Sequence, residues 1–410
     1  MSHDEIRPFH PPVWDRGEEI DAQMMQFTIG DDWRHDQRLV EQDIRGSLAH
    51  VDGLLEAELI SSADHGALHS GLRELLASWS RGEWTVEAGD EDVHSAVERR
   101  LTAAIGEAGE RLHTGRSRND QIALDMRLWL RDALALSQAS LAQLEEAFAG
   151  LAERQGGLPL PGYTHLRRAM PSSVGDWLAA HRLAFATSAQ ELAAASLRLK
   201  HCPLGSGAGY GVPLPLARDC VARALGFEGP EEPVTAAQLF RGRAELAYLN
   251  ALESVGLDLE KLACDLWLYT SEEFGFVDLP VELTTGSSLM PHKRNPDLIE
   301  LLRGHGRQLG ADRDSLRAVI AGLPSGYHRD FQLLKAPLFR AHDRSQAALA
   351  LTARLIEGLR FKPDALETAA LDPALEVTRK ALEATQAGMS FRAAYRQSSR
   401  SQGSPPASLD

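Results

Sequence analysis

Residues 119–153 read NDQIALDMRLWLRDALALSQASLAQLEEAFAGLAE. The run is free of proline and rich in Ala, Leu, Glu, Arg and Gln, the residues that lose least on entering a helix. Ile122, Met126, Trp129, Ala133 and Leu134 recur near heptad spacing. That pattern predicts one very long bundle helix with more than one buried face. Pro159, Pro161 and Gly162 end it.

Working outward, the same composition predicts four more long helices, over Ser172–Leu199, Ala236–Ser271, Pro296–Ile320 and Asp330–Leu359. Upstream, two helices are expected between about Asp36 and Ser78, then a loop around Arg81-Gly82-Glu83 and a further helix over Glu91–Ile105. Strand signals are sparse. Met1–Arg16 has no periodicity and reads as an arm, and the Gln/Ser/Gly/Pro tail from Gln397 reads as disordered. The expected fold is all-α: a long central helix bundle with smaller helical domains at each end. The expected division is 1–113 for an N-terminal helical domain with its arm and 114–357 for the central bundle, which carries oligomerisation and the active site. Residues 358–410 would form a short C-terminal helical domain with a disordered tail. A bundle this long has more apolar face than one chain can bury, so a homo-oligomer is expected.

Composition removes several functional classes. The chain has 410 residues, 43% hydrophobic and 25% charged, with a formal net charge of -15. That balance argues against a nucleic-acid surface, which needs a basic patch. It leaves an anionic substrate open, because local cations outrank net charge at contact distance. The three cysteines, Cys202, Cys220 and Cys264, are scattered without CxxC or metal-ligand spacing, which fits a reducing compartment. No apolar run is long enough to span a bilayer, and the N-terminus lacks a signal-peptide core. A cytoplasmic protein with no membrane or nucleic-acid partner is expected.

Three polar segments carry unusual chemistry, each beside a long helix. The richest is Thr285-Gly286-Ser287-Ser288-Leu289-Met290-Pro291-His292-Lys293-Arg294-Asn295-Pro296. It combines a glycine hinge, adjacent hydroxyls, a lysine and an asparagine, and it reads as a mobile loop that is neither helix nor strand. Asn295 is its expected N-cap and Pro296 the first helical residue. A helix N-terminus behind such a loop favours anions. The second segment is His113-Thr114-Gly115-Arg116-Ser117-Arg118-Asn119-Asp120-Gln121, too long a polar run for a cap alone. The third is Pro161-Gly162-Tyr163-Thr164-His165-Leu166-Arg167-Arg168, with one histidine able to move protons. Gly205-Ser206-Gly207-Ala208-Gly209-Tyr210-Gly211 departs from GxGxxG and follows Pro203 rather than a strand, so it reads as a flexible turn. His94 reads as structural.

Together, in chain order from 113–121 through 161–168 to 285–296, the three segments resemble the fumarase/aspartase superfamily and, within it, the argininosuccinate lyase family. Gly286 to Asn295 matches the superfamily pattern GSSxMPxKxN at every fixed position, and Thr114–Gln121 and Gly162–Leu166 look like the lyase forms of the other two regions. The resemblance covers about residues 36–340. It implies a homotetramer whose active sites each draw one region from each of three chains. It also implies reversible β-elimination of argininosuccinate to fumarate and L-arginine, as in arginine biosynthesis, with no metal or organic cofactor.

By resemblance, Ser287 removes the proton and His165 acts as acid at the leaving nitrogen. Lys293 and Asn295 stabilise the doubly charged aci-carboxylate, and Glu300 orients His165 from a neighbouring chain. Ser117, Arg118, Asn119 and Thr164 would hold succinyl oxygens, and Tyr327, Gln332 and Lys335 the amino-acid end. Arg167 stands where the family has glutamine, and Met170 where it has another. Val13-Trp14-Asp15-Arg16-Gly17 replaces a tryptophan-glycine-glycine-arginine opening, and the C-terminal part is shorter. Another fumarate-releasing lyase, acting on adenylosuccinate, aspartate or a related adduct, and a non-catalytic structural homologue are the alternatives.

Overall fold

The structure, a computed structural model, describes residues 21–400. The expected arm, the Val13–Gly17 departure and residues 401–410 of the expected tail lie outside the described residues. The helices are α1 (Ala22–Ile29), α2 (Asp32–Asp36), α3 (Val40–Glu56), α4 (Ser62–Ser80), α5 (Val93–Ile105), α6 (Arg118–Gln155), α7 (Val174–Ala195), α8 (Arg218–Ala224), α9 (Ala236–Leu239), α10 (Arg243–Tyr269), α11 (Asp297–Ile320), α12 (Lys335–Gly358), α13 (Pro363–Ala370), α14 (Val377–Gln386) and α15 (Phe391–Arg400). The strands are β1 (Pro159–Thr164), β2 (Arg167–Ser173), β3 (His201–Cys202), β4 (Gly229–Pro230), β5 (Val277–Asp278), β6 (Thr285–Gly286), β7 (Arg294–Asn295) and β8 (Arg360–Phe361). They form four two-stranded pairs, β1-β2, β3-β4, β5-β8 and β6-β7, of which only β3-β4 is parallel. The expected all-α architecture holds.

Local chemistry sets the boundaries. The Ser61 hydroxyl accepts the Asp64 N–H at 3.1 Å while the Asp64 carboxylate reaches back to the Ser61 N–H at 3.4 Å, so a capping box starts α4. The stretch 236–271 is broken at Gly242, whose φ is +79°. A Cβ there would lie 2.3 Å from Ile320 Cγ2, so close packing and left-handed backbone both demand glycine. The expected disorder from Gln397 is corrected for Gln397–Arg400, which continue α15. There the Phe391 and Tyr395 rings meet at 6.2 Å one turn apart and the Ser399 hydroxyl donates to the Tyr395 carbonyl.

The described chain makes two compact units, 21–138 with 190–253 and 308–344, and 139–189 with 254–307 and 345–400. In the first, Tyr248 is fully buried, and its hydroxyl bonds Ser137 Oγ at 2.8 Å and His342 Nδ1 at 2.7 Å. Trp129 packs edge-on against Phe339 and His342. A neighbouring cluster joins Leu124 and Leu128 to Cys202, Leu204, Val221 and Phe227. In the second, Phe148 lies between Phe185 and His181, and Trp177 packs on Phe361 while donating to Asp265 at 2.8 Å. Gln155, the last residue of α6, bonds both the N–H and the carbonyl of Phe361. Each large apolar side chain buried this way contributes about 1.5–3 kcal/mol. Among the described residues no helix is long and apolar enough to cross a membrane.

Candidate active site

In the first unit, the His113–Gln121 segment is folded by its own acids. Ser117 starts α6, its hydroxyl accepting the Asn119 N–H at 3.2 Å, while Asp120 Oδ1 accepts the Ser117 N–H at 3.0 Å. Ser117 therefore acts as a local cap of α6. Asp120 Oδ2 then accepts the N–H groups of Gly205 and Gly207 at 2.9 and 2.7 Å. Burial pushes the Asp120 carboxyl up to about 6 even though these N–H groups pull it down. The glycine run expected as a flexible turn is instead largely buried, with positive φ at Gly205, Gly207, Gly209 and Gly211 and its backbone hydrogen-bonded to Asp120.

Arg118 and Asn119, at the start of α6, line a cavity of about 220 Å³ together with Tyr327, Gln332 and Lys335. Five of the sequence-selected residues thus come together, across more than two hundred positions of chain. Asp32, Glu91, Asp92, Arg241 and Arg329 complete its charged lining, and no motif had pointed to them. Acids at a helix start read as caps, and Asp92 does cap α5, accepting the Ser95 N–H at 2.8 Å. Only the folded chain reveals that they also face a cavity.

The cavity mixes both charge signs. Lys335 is buried, and its ammonium donates to Asp32 at 2.7 Å and to Asp36 at 2.5 Å. Burial opposes the charge, but Asp36 and Asp32 hold Lys335 well above the ordinary ammonium value. Burial holds the Asp32 carboxyl up at about 7 in spite of Lys335 beside it. Arg118 donates to Glu91 at 2.6 Å and to Ser95 at 2.7 Å, so its expected fork onto a carboxylate begins from a guanidinium already bonded to protein. Burial favours a neutral Asp92, yet Arg118 overcomes it and holds that carboxyl at about 2. The Gln332 amide nitrogen donates to the Thr28 and Ile29 carbonyls at 3.0 Å. His94 is also in the lining and is buried. Burial disfavours its charge, but Asp43, at 3.0 Å, outweighs that and lifts it to about 9, which agrees with a structural ion pair.

In the second unit, the His165 segment is a strand hairpin rather than a loop between helices. β1 pairs with β2 from Pro159↔Ser173 to Thr164↔Arg167, leaving His165-Leu166 as a two-residue turn. Both have positive φ, 53° and 57°, as a type I′ turn requires. Neither is glycine or asparagine, and non-glycine residues held this way concentrate at functional sites. Tyr163 packs on Phe274 at 5.4 Å and Arg168 pairs with Asp372 at 2.8 Å, which anchors the hairpin. Thr164, His165 and Arg167 are exposed on it, and Met170 is 42% exposed.

The Gly-Ser-Ser segment is not wholly irregular either. β6 and β7 pair antiparallel, Thr285 opposite Asn295 and Gly286 opposite Arg294, closing a loop whose tip is exposed. Asn295 is not the cap: its amide donates to the Gly286 carbonyl at 3.3 Å, and the Pro296 carbonyl accepts the first helical bonds from Ile299 and Glu300. The Thr285 hydroxyl donates to Asp297. Ser287 Oγ accepts the backbone N–H of Met290 at 3.1 Å and of Leu289 at 3.3 Å. Two donors aimed at one hydroxyl oxygen favour its anion. Lys293 is exposed on the loop and Glu300 on the first turn of α11.

A lyase family profile matches residues 16–310. The argininosuccinate lyase of Sorangium cellulosum is 44% identical over 384 residues, spanning 94% of this chain and 89% of that one. Those of Xanthomonas euvesicatoria and Stenotrophomonas maltophilia (strain K279a) are each 43% identical, with the same coverage. Among solved structures, an EDDS lyase in complex with formate superposes with a TM-score of 0.78 at 21% identity, covering 93% of this chain and 76% of that one. A class II fumarase from Schistosoma mansoni gives 0.76 at 18%, covering 91% and 90%.

Proposed function

The chain belongs to the argininosuccinate lyase family, and from that premise we propose that it cleaves argininosuccinate reversibly to fumarate and L-arginine. One observation carries the mechanism: Ser287 Oγ already receives two backbone N–H groups. A serine hydroxyl is a poor base at its ordinary pKa, and those donors lower the cost of the alkoxide that takes the proton beside the substrate carboxylate. Lys293 and Asn295, near the N-terminal end of α11, stabilise the aci-carboxylate that forms. His165 delivers a proton to the departing guanidino nitrogen, with Glu300 orienting it. Elimination then releases fumarate. The C–N bond breaks as the C=C bond of fumarate forms, with its electron pair leaving on the guanidino nitrogen that His165 protonates, so the atoms balance with proton transfers by the residues named.

The cavity in the first unit takes the rest of the substrate. Ser117, Arg118 and Asn119, with Thr164, hold succinyl oxygens. Tyr327, Gln332 and Lys335 face the amino-acid end, whose ammonium and carboxylate suit a lining with both charge signs. The sites belong to a homotetramer in which three chains each supply one region. Exposed leucines on the long helices support that assembly: Leu183 is 70% exposed, Leu301 59% and Leu257 57%. Oligomerisation and catalysis then both fall in the central stretch 114–357. The three free cysteines suit a reducing, cytoplasmic setting.

The test is incubation of the purified chain with argininosuccinate, following fumarate by its ultraviolet absorbance and arginine by amino-acid analysis. Equal release of both is expected. Release of fumarate from adenylosuccinate or aspartate, with none from argininosuccinate, would replace this substrate by the alternative.

A further inference from the structure

Helix α4 carries His65 and His69 one turn apart, on the face turned toward α3. Residues at i and i+4 stack on one side of a helix, and here the two imidazole centroids are 4.5 Å apart. Both Nε2 atoms converge on a single oxygen of Asp52 in α3, at 2.9 and 2.7 Å. The three candidate ligand atoms all lie within 4.8 Å of one another, and all three residues are half-buried. Nitrogen and oxygen donors from two facing helices thus gather at one place in the first unit. None of these residues lines the cavity described above or belongs to the reaction.

We propose that Asp52, His65 and His69 bind a divalent transition ion of the zinc class. Two histidines at i and i+4 with a carboxylate from a facing element is a donor set suited to such an ion. In a tetrahedral site with bonds of about 2.0–2.1 Å, neighbouring ligand atoms stand about 3.3 Å apart. The Asp52 oxygen therefore retreats by about half an ångström, a small side-chain rotation, and the ion takes the place of the two imidazole protons that now point at it. Water completes the coordination. The capping box at Ser61 and Asp64 fixes the start of α4, so His65 is presented from a rigid first turn. The bound ion ties α3 to α4 and stabilises the folded chain by mass action.

Titration calorimetry of the untagged, chelator-treated full chain with Zn²⁺ tests this. One ion per chain is expected, with a dissociation constant on the order of a micromolar or tighter, and a higher thermal midpoint when loaded. His65→Gln and His69→Gln each weaken binding about a hundredfold, with metal-free folding checked by circular dichroism and turnover of argininosuccinate unchanged. Co²⁺ bound to the unmodified chain gives the visible bands of a tetrahedral nitrogen and oxygen site, a readout independent of how the variants fold. Absence of uptake by the unmodified chain, or equal uptake by it and both variants, overturns the proposal. So do Co²⁺ spectra showing only the hydrated ion, which would leave the imidazoles as plain hydrogen-bond donors to Asp52.

Discussion

Asp120 Oδ2 accepts the backbone N–H of Gly207 at 2.7 Å, and this bond, with its twin to Gly205, ties the polar start of α6 to the glycine run. A side-chain amide cannot replace that carboxylate in full: with its oxygen turned to the two glycines, its NH₂ faces the Ser117 N–H and leaves that donor unsatisfied. Asp120→Asn is therefore expected to destabilise the chain by about 2–3 kcal/mol, read as a lower denaturant midpoint. Because Arg118 and Asn119 follow from the same turn, kcat/KM falls as well. An unchanged midpoint would show that the two segments hold themselves.

His165 occupies a left-handed turn position, which decides what may replace it cleanly. Asparagine tolerates φ near +53°, so His165→Asn keeps the hairpin and removes only the proton donor. Turnover is expected to drop at least about a hundredfold with the melting temperature unmoved. His165→Val would add about 1–2 kcal/mol of backbone strain, visible as a lower melting temperature. Full activity in the asparagine variant would take His165 out of the reaction.

Ser287→Ala removes the oxygen that receives the Leu289 and Met290 N–H groups. The loop tip is exposed, so stability should move by no more than about 0.5 kcal/mol. The same change should lower kcat at least about a hundredfold. Comparable turnover in the variant would mean that another group takes the proton.

The long helices were legible because propensity and period agree over many turns, and glycine interrupts that agreement where α6 ends at Gln155-Gly156 and where the stretch 236–271 divides at Gly242. The hairpin was not. Pro159, Pro161 and Pro171 sit within its two strands, and its turn uses His-Leu where Asn-Gly is the usual signal. The β6-β7 pair, two residues on each side, is too short to leave a period at all. The cavity was half legible. Arg118, Tyr327 and Lys335 came from the family resemblance, but Asp32 and Glu91 acquire meaning only when the fold brings Asp32 to Lys335 and Glu91 to Arg118 and Arg329. Asp52, His65 and His69 escaped for the same reason, since the carboxylate joining the two imidazoles lies on another helix.

Asp32 gives the cavity a pH dependence with a definite sign. Burial raises its carboxyl from the usual range to about 7, so the cavity gains a negative charge as pH rises through neutrality. If the ammonium of the amino-acid end binds beside Asp32, KM should fall up to about tenfold between pH 6 and pH 8, and Asp32→Asn should flatten that slope at the acid-side value. Folding carries the opposite sign. A carboxyl raised on folding stabilises most below its unfolded value and loses that contribution as pH rises from about 4 through 7. Denaturant midpoints across that range, with and without Asp32→Asn, measure the loss. Matching KM slopes in the two proteins would place the substrate's cation elsewhere.

The proposed sharing of sites between chains has a consequence no single-chain site could produce. Asn119→Ala disables a region held by the first unit, and Ser287→Ala one held by the second. Each variant alone assembles four defective sites in the proposed tetramer. In a mixed tetramer, a site that takes its Asn119 region from one chain and its Ser287 region from another can receive both intact. With random assembly of equal amounts, about a quarter of sites meet that condition. Co-refolding the two inactive variants should thus restore up to about a quarter of normal argininosuccinate cleavage, and mass spectrometry of intact oligomers verifies the mixing. If mixed oligomers form and cleavage stays at background, both regions of each site come from one chain, and the Asn119 and Ser287 regions must then meet within a single protomer.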